Sequence, residues 1–203
     1  MIYLIDVTLL KDHRCLEKGL KIDDLQDITL LVGDQGCGKS SLLQLLGDNN
    51  TEMISVGLSE YCKTKGVKTF FFDSEKMNPR VKDPELFTDI QGRNIGIGFG
   101  GAIAARFQSH GETLINFTVE GIKKAENCLM FFDEPESGLS IRSQFKLIEA
   151  IKDAVEKRNC QFIIATHCFP LIESVEKVYS LEHLKWLDSL GFIENQKEKL
   201  KKD

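Results

Sequence analysis

The chain has 203 residues, 42% hydrophobic and 28% charged, which suits one domain with its own core and excludes a disordered chain. Lys plus Arg total 26 against 31 Asp plus Glu, a formal net charge of −5. That balance excludes general electrostatic attraction to nucleic acid or anionic lipid, leaving local basic patches such as Lys63, Lys65 and Lys68.

Taken in chain order, the start Met-Ile-Tyr-Leu-Ile-Asp carries no basic leader and no small-residue cleavage site. Ile28–Val32 is a continuous apolar run ending at Gly33 and predicts a buried strand. Residues 40–46, with Leu42, Leu43, Leu45 and Leu46, predict a short helix stopped by Gly47-Asp48-Asn49-Asn50. Further strands are predicted at 67–72, 128–132 and Gln161–Ala165. Between the last two, Ile141, Phe145, Ile148, Ile151 and Val155 recur at spacings of three and four, which predicts one apolar face on a helix over Ile141–Arg158. Alternating strands and helices favour an α/β fold with a mainly parallel sheet flanked by helices.

The stretch 78–125 breaks that rhythm, with Pro79, Pro84, five glycines over 92–101, and a helical pattern over 114–122. It is expected to form a small helical subdomain within a single domain spanning 1–203. The longest apolar run, 95–105, is too short for the roughly 20 residues of a membrane-spanning helix, so no membrane insertion and a cytoplasmic location are expected. Residues 181–203 read as a charged, helix-compatible tail with Leu184, Trp186, Leu187 and Leu190 as packing residues. The six cysteines are scattered without a Cys-x-x-Cys pair, which predicts reduced, mostly buried thiols. No His/Cys cluster has zinc-ligand spacing.

Gly33, Asp34, Gln35, Gly36, Cys37, Gly38, Lys39 and Ser40 satisfy G-x-x-x-x-G-K-[ST] between a predicted strand and a predicted helix. In that context the glycines let backbone N–H groups converge on phosphate oxygens at a helix N-terminus. Lys39 is expected on the β- and γ-phosphates and the Ser40 hydroxyl on Mg²⁺. Ser41, next in the same helix, is counted with the nucleotide-binding residues. The run Gly96-Ile97-Gly98-Phe99-Gly100-Gly101 also satisfies G-x-G-x-x-G, but no full strand feeds it and no βαβ unit follows, so a flexible loop is the better reading.

Residues 128–132 deliver Asp133 and Glu134 to the carboxyl edge of the sheet, where ligands of α/β folds bind. Asp133 is placed to hold Mg²⁺. Glu134 is placed to act as general base toward an attacking water, or to orient it. Gln161–Ala165 exits in the same way into Thr166 and His167, and His167 is expected to contact the γ-phosphate and report its loss.

The order Gly33 to Ser40, then Ser109-His110-Gly111-Glu112, then Asp133-Glu134-Pro135-Glu136-Ser137-Gly138-Leu139-Ser140, then His167 resembles the ABC-type ATPases. Within that family it looks like the small stand-alone soluble ATPases related to the SMC and RecF-like branch. The resemblance implies the P-loop NTPase fold and two ATP molecules sandwiched between head-to-tail subunits. It also implies Ser109 and Gly111 capping the γ-phosphate of the opposite subunit, and 137–140 touching the partner. The acidic motif departs from the transporter pattern, carrying Glu136 where a Thr is usual, and the signature is Ser-His-Gly-Glu. The span from Ser40 to Ser109 is also short. The glutamine loop is unassigned between Glu75 and Gln91, and the adenine-stacking residue between His13 and Arg14. The expected function is an Mg²⁺-dependent ATPase forming an ATP-gated homodimer that regulates a partner effector or a DNA-processing or defence activity, with DNA itself a candidate ligand. The alternative is the nucleotide-binding subunit of a membrane transporter.

Overall fold

The computed structural model describes residues 2–73, 110–199 and 201. Its elements run β1 (Leu4–Leu9), β2 (Lys21–Ile22), β3 (Ile28–Val32), α1 (Lys39–Gly47), β4 (Ile54–Leu58), α2 (Glu60–Lys65) and β5 (Lys68–Asp73), then α3 (His110–Lys124), β6 (Cys128–Asp133) and α4 (Ile141–Arg158). They continue through β7 (Gln161–Ala165), α5 (Phe169–Glu173), β8 (Lys177–Ser180), β9 (Lys185–Asp188) and α6 (Ser189–Lys199).

Strands that are apolar throughout must be buried on both faces, and their side chains alternate between two cores. Leu30 and Val32 of β3, Met130 and Phe132 of β6, and Phe162 and Ile164 of β7 join one core with Leu147, Ile148 and Ile151 of α4. Leu31, Leu129, Phe131 and Ile163 point to the other face and meet Leu42, Leu43, Leu45 and Leu46 of α1. These strands belong to a six-stranded sheet of order β5-β6-β7-β3-β8-β9. Its strands are parallel except β9, which pairs antiparallel with β8. Helices thus cover a mixed, mainly parallel sheet, as in P-loop NTPases.

A second sheet, of order β2-β1-β4 and antiparallel, was not expected from the sequence. Its strands are short and mix polar with apolar residues, so they carry little periodic signal. A buried glutamine helps to fasten it to the main sheet, beside the Tyr179 hydroxyl, which donates to the Lys21 carbonyl at 3.0 Å. Gln161, fully buried, accepts at Oε1 from the amides of Tyr3 and Leu4, each at 2.8 Å. Its Nε2 donates to the carbonyls of Leu4 at 2.8 Å and Gln26 at 3.1 Å.

Two expectations about faces need correction. On α4 the buried residues are Leu147, Ile148, Ala150, Ile151 and Ala154, whereas Ile141 and Phe145 are 69% and 52% exposed. The buried residues all lie from Leu147 onward, so the helix meets the core only beyond its first turns. The segment 181–203 is not one helical tail. Its first part turns back as β9, where Trp186 packs edge-on against Tyr179 with ring centroids 5.5 Å apart. Leu184 and Leu190 are exposed, and Phe192 and Ile193 of α6 are buried instead. Cys62, Cys128, Cys160 and Cys168 are buried, Cys37 is half-buried and Cys15 exposed, all as free thiols. No helix among the described residues is long and apolar enough to cross a membrane. The glycine-rich run, Ser109, Glu75 and Gln91 lie outside the described residues, as does most of the expected subdomain.

Candidate nucleotide site

Register decides which residues meet. Asp133 pairs with Ala165, and Ala165 pairs with Leu31, so three neighbouring parallel strands end level at one sheet edge. From that edge emerge the loop 33–38 after β3, Glu134 after β6, and Thr166 with His167 after β7.

The loop wraps the start of α1. Gly38 occupies the position before the helix in the left-handed region, φ 103°, and no side chain caps the helix N-terminus. The first amides of α1 are therefore left for an anion. Gly33 and Gly38 have φ of 143° and 103°, which favours glycine, and a Cβ at either would also displace a neighbouring side chain, Cys37 Sγ at Gly33 and Leu16 Cδ2 at Gly38. Lys39 is 5% exposed and turns its ammonium into the loop, donating to the carbonyls of Gly33 at 3.0 Å and Asp34 at 3.1 Å. Its charge thus stands inside the nest that the loop forms. Asp34 and Gln35 are exposed on the loop's outer turn, where Cys37 N–H closes onto the Asp34 carbonyl.

Ser40 Oγ donates to Asp133 Oδ1 at 3.0 Å, joining two sites 93 residues apart. Burial pushes the Asp133 carboxyl above its ordinary range, opposed by the Ser40 hydroxyl bond and reinforced by Asp73 and Glu134 nearby. A hydroxyl and a carboxylate oxygen are hard donors. With the oxygens of a nucleotide phosphate they match the set Mg²⁺ takes, and among the described residues no cluster of three or more His, Cys, Asp or Glu offers an all-protein metal cage. The residues therefore fit an Mg-nucleotide.

Glu134 sits in the left-handed region, φ 45°, a conformation costing roughly 1–3 kcal/mol in a non-glycine residue. Its amide is held by the Ala165 carbonyl at 3.0 Å, and its carbonyl accepts from Ser137 N–H at 3.0 Å. Its carboxylate lies 3.8 Å from His167 Nε2, with both side chains 46% exposed at the mouth of the site. Burial and then the Lys39 charge hold the His167 imidazole below its ordinary value, with Glu134 pulling the other way, so the neutral ring is favoured.

Two contacts escaped sequence reasoning. Arg14 Nη1 donates to Ser41 Oγ at 3.2 Å, so the segment between β1 and β2 reaches the start of α1 both through this arginine and through Leu16. His13, the other candidate for the base, is in a backbone bridge with Leu16. Glu136 Oε1 accepts from Thr166 Oγ1 at 2.5 Å and from His167 N–H at 3.0 Å. The signal for the second was present as the unusual glutamate after Pro135, but nothing local named its partner. Of the signature residues, Gly111 lies at the start of α3, and Ser109 is outside the described residues.

A family model described as "ATPase family associated with various cellular activities (AAA)" matches residues 29–177. Among solved structures, a bacterial ABC transporter cassette in dimeric form superposes with a TM-score of 0.51 at 14% identity, covering 89% of this chain and 94% of that one. The cbiO1 protein of Clostridium perfringens, part of the ABC transporter complex cbiONQ, superposes with a TM-score of 0.55 at 13% identity, covering 99% and 94%. At such identities the likeness is one of fold. No curated protein matches the chain in sequence.

Proposed function

The chain belongs to the ATPase family associated with various cellular activities, with the fold of the ABC-type P-loop ATPases, and on that premise we propose that it is an Mg²⁺-dependent, ATP-gated homodimer. Lys39 and the amides of residues 33–41 hold the phosphates, and Ser40 with Asp133 holds Mg²⁺, which when bound neutralises charge on the β- and γ-phosphates. Glu134 orients the attacking water or takes its proton. His167, neutral at pH 7, stands at the γ-phosphate and registers its departure. Ser109 and Gly111 act across the dimer on the other subunit's nucleotide, which makes closure depend on ATP in both sites. The whole chain 1–203 is one ATPase domain with its signature subdomain over 78–125.

The observation that carries this reading is the Ser40–Asp133 hydrogen bond, with Glu134 and His167 on the same sheet edge. In a cytoplasmic setting the closed dimer gates a protein partner or a DNA-processing activity. Exposed Lys63 and Lys65 on α2, with Lys68 beside them, supply the local charge a nucleic acid needs. A second reading, the nucleotide-binding subunit of a transporter, draws on the fold shared with two transporter cassettes. Co-purification with a multi-span membrane protein would favour it.

The test is the solution mass of Glu134→Gln with and without Mg-ATP. The expected outcome is a doubling of mass with ATP and a large loss of turnover. A mass that stays monomeric refutes the homodimer, and wild-type turnover refutes the role of Glu134.

A further inference from the structure

We propose that Glu136 is a positioning residue of the ATPase, its carboxylate fastening the turn that carries His167 to the turn that carries Glu134. The proposal rests on the reading that His167 and Glu134 face the γ-phosphate.

The two turns leave neighbouring paired strands, and the last backbone tie between them is Glu134 N–H to the Ala165 carbonyl, so beyond residue 165 the position of the histidine turn needs a further anchor. One oxygen of Glu136 supplies that anchor. It receives the Thr166 hydroxyl and the His167 amide, and the same Thr166 hydroxyl accepts from Cys168 N–H at 2.9 Å. Three consecutive residues, 166 to 168, are thereby referenced to a single carboxylate. On its own side Glu136 is rigid, because Leu139 N–H closes onto its carbonyl at 3.0 Å and Ser137 N–H onto that of Glu134. Among the described residues the imidazole of His167 makes no side-chain hydrogen bond, and its one ion-pair approach is the 3.8 Å to Glu134. Its placement therefore depends on where the backbone holds it.

The other oxygen of Glu136 argues against a purely structural bond. Oε2 is buried with no partner among the described residues. Leaving a buried polar atom unpaired is costly, so an acid used only for stability would be a poor choice. Burial also pushes this carboxyl above its ordinary range, and the Thr166 and backbone bonds work in the opposite direction. What the carboxylate supplies that an apolar side chain does not is a two-bond acceptor at a defined distance from Cα. The contact also links the D-E-P-E turn, and the segment 137–140 behind it, to the histidine.

The test compares steady-state ATPase kinetics of Glu136→Ala, Glu136→Asp, Glu136→Gln, His167→Ala and the double variant Glu136→Ala with His167→Ala. Misplacing a reacting-site group by about 1 Å can cost about 100-fold, so Glu136→Ala is expected to lose about 10- to 100-fold in kcat with KM within about twofold. Glu136→Asp keeps the charge but falls short by one methylene and is expected to lose kcat likewise, which holds even if the alanine variant does not fold. Glu136→Gln keeps an acceptor at Oε1 and is expected to recover most of the rate. In the His167→Ala background the further loss from Glu136→Ala is expected to shrink to less than about twofold, the signature of two residues acting as one unit. An equal loss in both backgrounds, or wild-type kcat in both Glu136→Ala and Glu136→Asp while His167→Ala is impaired, overturns the positioning role and leaves the proposed function standing. A wild-type rate in His167→Ala overturns the role given to the histidine itself.

Discussion

Replacing Gln161 with Leu keeps the volume of a buried side chain and removes four hydrogen bonds. The amides of Tyr3 and Leu4 lose their acceptor, and the carbonyls of Leu4 and Gln26 lose a donor. Tyr3 and Leu4 are themselves buried, so water reaches the freed groups only if β1 lifts from the main sheet. An unsatisfied buried group costs roughly 1–3 kcal/mol, so the two amides alone give about 2–6 kcal/mol, a large part of a total stability of about 5–15 kcal/mol. With a urea dependence of about 2 kcal/mol per molar, the midpoint of chemical unfolding moves down by about 1 M or more. The substitution Gln161→Glu separates the donor role from the acceptor role. One carboxylate oxygen would still accept from Tyr3 and Leu4, but the other would face two carbonyls and be tolerated only when protonated. The introduced carboxyl would have a raised pKa in the folded state, so the stability of this variant would decline as pH rises above the ordinary carboxylate range. A Gln161→Leu variant whose midpoint stays within about 0.3 M of the wild type refutes the reasoning, as does a Gln161→Glu variant with the wild-type pH profile.

Three further predictions test other parts of the structure. Gly38→Ala places a methyl 2.4 Å from Leu16 Cδ2 in a left-handed backbone costing roughly 1–2 kcal/mol for an L-residue, and is expected to weaken Mg-ATP binding at least about tenfold in a fluorescence titration. Adding Leu16→Ala removes the clash but not the torsion, so recovery is expected to be partial, and wild-type affinity in Gly38→Ala alone would count against the geometry. The raised pKa of Glu136 means that the folded state binds its proton more tightly than the unfolded chain does. Its contribution to stability therefore declines as pH climbs from the ordinary 4.5 through the native value, and the wild type loses ground to Glu136→Gln over that window in urea melts. A stability difference that does not change with pH would contradict the assignment. On α4, Phe145→Ser is expected to change stability by less than about 0.5 kcal/mol, whereas Ile148→Ala costs roughly 2–5 kcal/mol. Equal thermal shifts would mean that the face of the helix is assigned wrongly.

Much of the candidate site was readable because its pieces are contiguous. A glycine-rich loop between an apolar run and a leucine-rich helix specifies its own nest within nine residues, Gly33 to Ser41, and needs no distant contact to be recognised. An apolar strand ending in Asp133-Glu134 is similar, since charged residues that follow a strand buried on both faces mark where it leaves the sheet. Ile28–Val32, Gln161–Ala165 and the extent of Ile141–Arg158 followed from the same local logic.

The tertiary structure decided what depends on register and on neighbours. Ile141 and Phe145 fit the helical period of Ile148 and Ile151, yet lie exposed, because periodicity reports a face and not how far the core extends beneath it. The strand Lys185–Asp188 was hidden in a charged segment, since a four-residue edge strand draws its order from β8 rather than from its own propensity. Ser40 meets Asp133, Arg14 meets Ser41, and Glu136 meets Thr166 and His167 only because tertiary pairing brings their segments together, with the ends of β3, β6 and β7 set level. A one-residue slip in the parallel pairing would preserve every motif in the chain and separate the residues that meet at that edge.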